Sequence, residues 1–175
     1  MNCINYEIKA RTTKYKQDKI RKILLQNFAK FIGVDNQVDT YLKVEEGRLK
    51  IRKGDIENCL VYYNREYKED SKQSNVELYS LLKHSYLEKI IRKTHDILVI
   101  IDKKREIYFI NNLKFHIDDV QELGKFVEIE AISENEKIPL EKIKKQCEYY
   151  KSLFGINNKD LIKDSYSDML LNTRK

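Results

Sequence analysis

Five pairs of charged or titratable residues sit two positions apart on otherwise apolar stretches: Glu7 with Lys9, Lys50 with Arg52, Lys103 with Arg105, Lys114 with His116, and Glu128 with Glu130. That spacing puts both members of a pair on one face of a β-strand. A solvated sheet face produces the same spacing, so no single pair carries an argument. As a set they sort into cationic strands and two acidic strands near opposite ends of the chain. Lysines and arginines facing one cavity are expected to lack carboxylate partners, to repel one another and to need water or a polyanion between them. A triphosphate is the natural filler. Glu7, Glu128 and Glu130 supply the hard oxygens that Mg²⁺ or Mn²⁺ prefers. Such a metal beside such cations suits phosphoryl or nucleotidyl transfer.

The elements that would hold these residues follow from periodicity. Ile4 to Arg11 alternates apolar and polar residues, as a half-buried strand does, and Ile20, Ile23, Leu24 and Phe28 recur at helical spacing up to a terminator at Gly33. Gln37 to Val44, Arg48 to Arg52 and Asn58 to Tyr67 read as strands, the first two joined by a turn at Glu45-Glu46-Gly47. Lys68 to Ser74 reads as a loop, followed by a helix capped by Ser74 or Asn75 and running to about Lys93 on Leu78, Leu81, Leu82, Ile90 and Ile91. Ile97 to Ile110 and Leu113 to Asp118 read as a hairpin turning at Asn111-Asn112, and Phe126 to Ile132 alternates again. A helix beginning at Pro139 should end near Gly155, and a last one should span Asp160 to Leu170. Seven or eight strands and four helices make an α+β protein. Its mainly antiparallel sheet has enough strands to curl into a barrel with helices packed outside.

Length and composition bound the class. The chain has 175 residues, expected to form one domain over 1–175. With 35 % charged and 41 % hydrophobic residues, 5 Gly and 1 Pro, it is neither collagen-like, low-complexity nor wholly disordered. No run reaches the ~20 apolar residues of a membrane helix, and residues 1–11 carry Glu7, Lys9 and Arg11 in place of an apolar signal core. A cytoplasmic protein with no membrane partner is expected. Cys3, Cys59 and Cys147 are too widely spaced for a CxxC zinc site and read as reduced thiols. The net charge of +6 points to anionic partners. His84 and His95 read as surface residues, and Lys142, Lys144 and Lys145 as a solvated helix face.

Ordered blocks along the chain match a known pattern. Asn5-Tyr6-Glu7-Ile8-Lys9-Ala10-Arg11 resembles the amino-terminal ExExK signature of the CYTH superfamily, the triphosphate tunnel metalloenzymes. Asp39-Thr40-Tyr41 with Gly47-Arg48-Leu49-Lys50-Ile51-Arg52 resembles its first hairpin, and Tyr62-Tyr63-Asn64-Arg65 its YYxR strand. Ile101 to Arg105, Lys114 to Val120, Leu123 to Glu130 and Ser165 to Leu170 continue the likeness in order.

The resemblance implies an eight-stranded antiparallel β-barrel that binds triphosphates with a divalent metal, Mg²⁺ or Mn²⁺. Relatives include class IV adenylate cyclases, thiamine triphosphatases and inorganic tripolyphosphatases. By that likeness Glu7, Glu128 and Glu130 would hold metal, and Lys9, Lys50, Arg52, Arg65, Lys103, Arg105 and Lys114 would grip phosphates. Lys72, in the loop after the YYxR strand, would close over ligand, and Asp118 would face the nucleoside end. Lys9, Lys103, Arg105 and Asp118 form the candidate catalytic set. Asn5 stands where the wider superfamily has its first Glu, which weakens the case for two metals. The expected activity is conversion of ATP to cyclic AMP and pyrophosphate. The alternatives are hydrolysis of tripolyphosphate or thiamine triphosphate, and a non-catalytic nucleotide or polyphosphate receptor. Nucleic acid is not the expected partner, and a homodimer is left open.

Overall fold

The computed structural model describes residues 3–68, 71–82, 86–134 and 137–174; within these, the side chains of 3–4, 65–68, 71–75 and 134 are not described. Eight strands form one sheet: β1 (Cys3–Arg11), β2 (Lys30–Leu42), β3 (Arg48–Lys53), β4 (Cys59–Lys68), β5 (Ser71–Ser80), β6 (Ile97–Ile110), β7 (Leu113–Val120) and β8 (Gly124–Glu134). Their spatial order is β1-β8-β7-β6-β2-β3-β4-β5, with every pairing antiparallel. The sheet curls into a half-barrel, and its edge strands β1 and β5 come together. The helices α1 (Lys14–Gln26), α2 (Tyr86–Thr94), α3 (Leu140–Leu153) and α4 (Tyr166–Thr173) lie outside it. None of the described helices is long and apolar enough to cross a membrane.

Alternation along the strands separates two environments. Ile8 and Ala10 of β1, Phe115 and Ile117 of β7, and Val127, Ile129 and Ala131 of β8 point outward and are buried under Ile20 and Leu24 of α1 and Ile143, Cys147 and Tyr150 of α3. Each large apolar side chain buried there contributes about 1.5–3 kcal/mol. Phe115 meets the rings of Tyr150 and Phe154 edge-on, which fixes α3 across the sheet. The alternate residues of the same strands face the concave side. A second cluster joins Tyr41 of β2, Val99 and Ile101 of β6, Val120 of β7 and Phe126 of β8 to Tyr166 and Leu170 of α4. On β1, β7 and β8 the concave face also carries the charged residues Glu7, Lys9, Lys114, Glu128 and Glu130.

Several boundaries differ from the sequence expectation. The helix expected from Ser74 or Asn75 is a strand over its first part: β5 pairs with β4 from Cys59↔Ser80 to Lys68↔Ser71, and the described helix is Tyr86–Thr94. Leu78, Leu81 and Leu82 imitate helical spacing, but Val76, Leu78 and Ser80 alternate toward the cavity while β4 satisfies the backbone. Lys68 and Ser71 to Ser74 are accordingly strand, and Lys72 sits in β5 opposite Tyr67. Gly33 does not terminate α1. The helix stops at Asn27, and Phe28 takes φ 57°, while Gly33 (φ 147°) lies at a register shift between β2 and β6. The last helix begins at Tyr166, behind a Ser165 cap whose hydroxyl accepts from the Asp168 N–H; Asn158–Asp160 form only a short 3₁₀ turn.

Candidate active site

The concave face encloses a cavity of about 600 Å³. Lys9, Lys50, Arg52, Lys103, Arg105 and Lys114 all line it, as do Glu7, Glu128 and Glu130. The side chains of Arg65 and Lys72 lie outside the described residues.

The expectation of cations without carboxylate partners is overturned. Among the described lining residues, six cations face five carboxylates, because Asp39 and Glu57 join the three expected glutamates. Asp39 of β2, 1 % exposed, accepts from Arg52 at 2.8 and 3.0 Å, from Lys103 at 2.6 Å and from Lys50 at 3.2 Å. Burial opposes its charge, but Arg52, Lys103 and Lys50 hold the carboxyl well below the usual carboxylate range. The reason for the pairing is energetic: charges removed from water require counter-charges within hydrogen-bonding reach.

A second knot centres on Glu128. It accepts from Arg105 at 2.7 Å and from His116 Nδ1 at 3.0 Å, and it pairs with Lys9 at 3.1 Å. Strand register explains this, since Lys9 and His116 lie directly opposite Glu128 on β1 and β7. Burial, with Arg105 and Lys114 nearby, pushes His116 down to about 4. At neutral pH its uncharged ring therefore donates Nδ1–H to Glu128.

Asp118 does not face the cavity as expected. Fully buried behind Arg105, it accepts from the guanidinium at 2.7 and 2.5 Å and from the Tyr166 hydroxyl at 2.7 Å. Its place in the structure is that of a group orienting Arg105. Tyr166 also puts its ring under the Lys9 ammonium, 4.4 Å from the centroid.

Glu7 and Glu130 lie opposite one another on β1 and β8, and the Asn5 amide donates to Glu130 Oε1. Burial and the charges of Glu7 and Glu128 raise the Glu130 carboxyl, against the pull of Lys114. Asn5 Oδ1 is a buried oxygen with no hydrogen-bond partner. These oxygens suit a hard divalent cation. Glu128 fits that role less well, being engaged by three cationic or N–H donors. Among the described residues, no group of three His, Cys, Asp or Glu side chains is gathered to hold a metal unaided.

The opposite wall differs in kind. Ile56, Cys59, Val61, Tyr63, Val76, Leu78 and Leu81 line the cavity from β4, β5 and the adjoining segments. Leu78 is 62 % exposed, an apolar surface facing a polar space.

Sequence reasoning missed Asp39 and Glu57. For Asp39 a signal existed: Asp35, Gln37, Asp39 and Tyr41 alternate along β2 and are all buried. Glu57 lies between strands, where no periodicity points to it.

The CYTH domain family model matches residues 3–166. Among solved structures, the chain is similar to the PH1012 protein of Pyrococcus horikoshii OT3 at 23 % identity and TM-score 0.77, covering 94 % of this chain and 98 % of that one. It is similar to a candidate adenylate cyclase from Vibrio parahaemolyticus at 16 % and 0.73, covering 96 % and 98 %. It is also similar to the S. pombe Pct1 RNA triphosphatase, bound to the Spt5 CTD, at 10 % and 0.54, covering 88 % and 79 %. A comparison with curated protein sequences finds no match.

Proposed function

The chain belongs to the CYTH domain family, and from that membership we propose that it is a divalent-metal-dependent enzyme converting ATP to cyclic AMP and pyrophosphate, as a class IV adenylate cyclase does. One observation carries the reading: a cavity with, among the described residues, six cations on its charged side and an apolar wall on the other. Inorganic tripolyphosphate would leave that wall wet. A nucleoside triphosphate sets its phosphates on the cations and its base and sugar against Val61, Val76 and Leu78.

In this reading the ribose 3′-oxygen bonds to the α-phosphorus. The bond from that phosphorus to the bridging oxygen breaks, pyrophosphate leaves, and the hydroxyl proton goes to water. Lys9, Lys103 and Arg105 hold the charge that develops on the leaving pyrophosphate, while Lys50, Arg52 and Lys114 fix the phosphate chain. Asp118 and Tyr166 keep the Arg105 guanidinium aimed. Glu7 and Glu130, with the Asn5 amide oxygen, would hold Mg²⁺ or Mn²⁺, which supplies Lewis-acid polarisation of phosphate oxygens when bound.

The test incubates purified protein with Mg²⁺ or Mn²⁺ and ATP, thiamine triphosphate or tripolyphosphate, and resolves the products. Cyclic AMP with pyrophosphate supports the cyclase; orthophosphate marks a hydrolase, and tight binding without turnover a receptor. Glu130→Gln should lower turnover by about a hundredfold and weaken Mn²⁺ binding measured by calorimetry, whereas Lys144→Ala, out on α3, should change neither. Equal turnover and equal Mn²⁺ affinity in wild type and E130Q would exclude the metal assignment. Leu78→Asp should weaken ATP binding about tenfold relative to tripolyphosphate, because it sets a charge on the apolar wall. An unchanged ratio would remove the wall from the argument.

A further inference from the structure

Glu57 is placed with unusual rigidity for a residue outside the strands. Asp35, fully buried on β2, accepts the Ile56 and Glu57 backbone N–H groups at 3.0 Å each and the Gln37 amide at 2.7 Å. A side chain at Gly54 would collide with the Asp35 carboxylate, and the Asn58 side chain closes the turn by donating to the Gly54 carbonyl at 2.9 Å. The turn between β3 and β4 is therefore clamped to β2. Its clamp aims Glu57 inward, where one oxygen accepts from Lys114 at 2.7 Å and the other from Arg52 at 2.8 Å and Gln37 at 3.1 Å.

The two cations come from strands that are not neighbours. Arg52 is on β3 and Lys114 on β7, with β2 and β6 between them. At about 4.8 Å per strand, a flat sheet would hold them too far apart to share a carboxylate. They meet on Glu57 because the sheet curls, so the carboxylate stands as a strut across the bore. Lys114 and Arg52 hold it well below the usual carboxylate range, so it is ionised at any physiological pH.

We propose that Glu57 is a specificity-determining stop, a fixed negative charge across one end of the tunnel that restricts the cavity to short phosphate chains and turns away long inorganic polyphosphate. The proposal rests on the triphosphate reading of the same cavity and adds a limit on chain length to it. A phosphate chain extending past Arg52 and Lys114 meets the carboxylate that spans them. A chain ending before it does not.

The experiment measures binding of tripolyphosphate and of long-chain inorganic polyphosphate by calorimetry without divalent metal, so that neither is turned over. Glu57→Gln keeps the size, removes the charge and leaves one acceptor oxygen in place of two. It should raise the ratio of long-chain to tripolyphosphate affinity at least tenfold. Asp35→Ala, which releases the clamp without touching a lining charge, should move the ratio in the same direction. A ratio unchanged in both variants while wild type binds tripolyphosphate overturns the stop and leaves the triphosphate reading standing. Absence of binding by wild type and E57Q alike overturns both.

Discussion

Asp39→Asn is expected to lower the free energy of unfolding by about 3–5 kcal/mol, the usual cost of removing one partner from a buried ion cluster. The carboxylate stands between Arg52, Lys103 and Lys50, all within 3.2 Å of it. Asparagine fits the space and can still accept a hydrogen bond, so the loss comes from charge and not from a cavity. Three cations are left facing one another without the carboxylate that joins them. Because the cavity is built for an external polyanion, tripolyphosphate should restore more stability to the variant than to wild type, in proportion to how much tighter it binds. Urea denaturation with and without tripolyphosphate reads both effects. Unchanged wild-type stability in D39N would mean that Asp39 is not the counter-charge of this cluster. In wild type the folded-state pKa is depressed. The contribution is therefore complete above the unfolded value of 3.8 and disappears only as pH falls below it toward the depressed one.

That a single aspartate carries three cations was hidden in the sequence for a physical reason. Period-two alternation is read by assuming that the apolar face is inside. The assumption holds for β1, β7 and β8, where Ile8, Phe115 and Ile129 pack under helices and the charged alternates face the bore. Those strands, and the lining cations on them, were legible. On β2 the buried alternates are Asp35, Gln37 and Asp39, while Phe31, Ile32 and Val34 are exposed, so the polarity rule inverts. β5 failed for a related reason. Leu78 and Tyr79 are both largely exposed, so hydropathy did not separate its two faces, and helical spacing won by default. Glu57 required the curl of the sheet, because only the curled shape brings Arg52 and Lys114 to one point. Charge at strand spacing thus identified which residues face the cavity, and the tertiary structure supplied which of them neutralise one another.

Lys103 carries the second large effect, and it acts on stability and on binding in opposite directions. The residue is 3 % exposed. Burial lowers its pKa, Asp39 resists, and Arg52, Arg105 and Lys50 lower it further, to about 7 from an ordinary 10.5. Between these values the unfolded chain holds a proton that the folded one has released. Stability must therefore rise with pH across that window, by up to about 5 kcal/mol at 1.36 kcal/mol per unit. Below about 7 the folded protein bears the whole cost of the buried charge. Triphosphate binding runs the other way. A polyanion needs the ammonium charged, so affinity should fall by up to tenfold per pH unit above about 7, with one proton taken up on binding. Urea denaturation from pH 6 to 10 and calorimetry in buffers of different ionisation enthalpy test the two halves. Lys103→Met is the control, since it cannot titrate. It should be more stable than wild type at pH 7, should lose the rise toward pH 10, and should bind tripolyphosphate with no proton uptake from this position. Parallel pH profiles in wild type and K103M would show that Lys103 keeps its ordinary pKa and that Asp39 alone meets the cost of its burial.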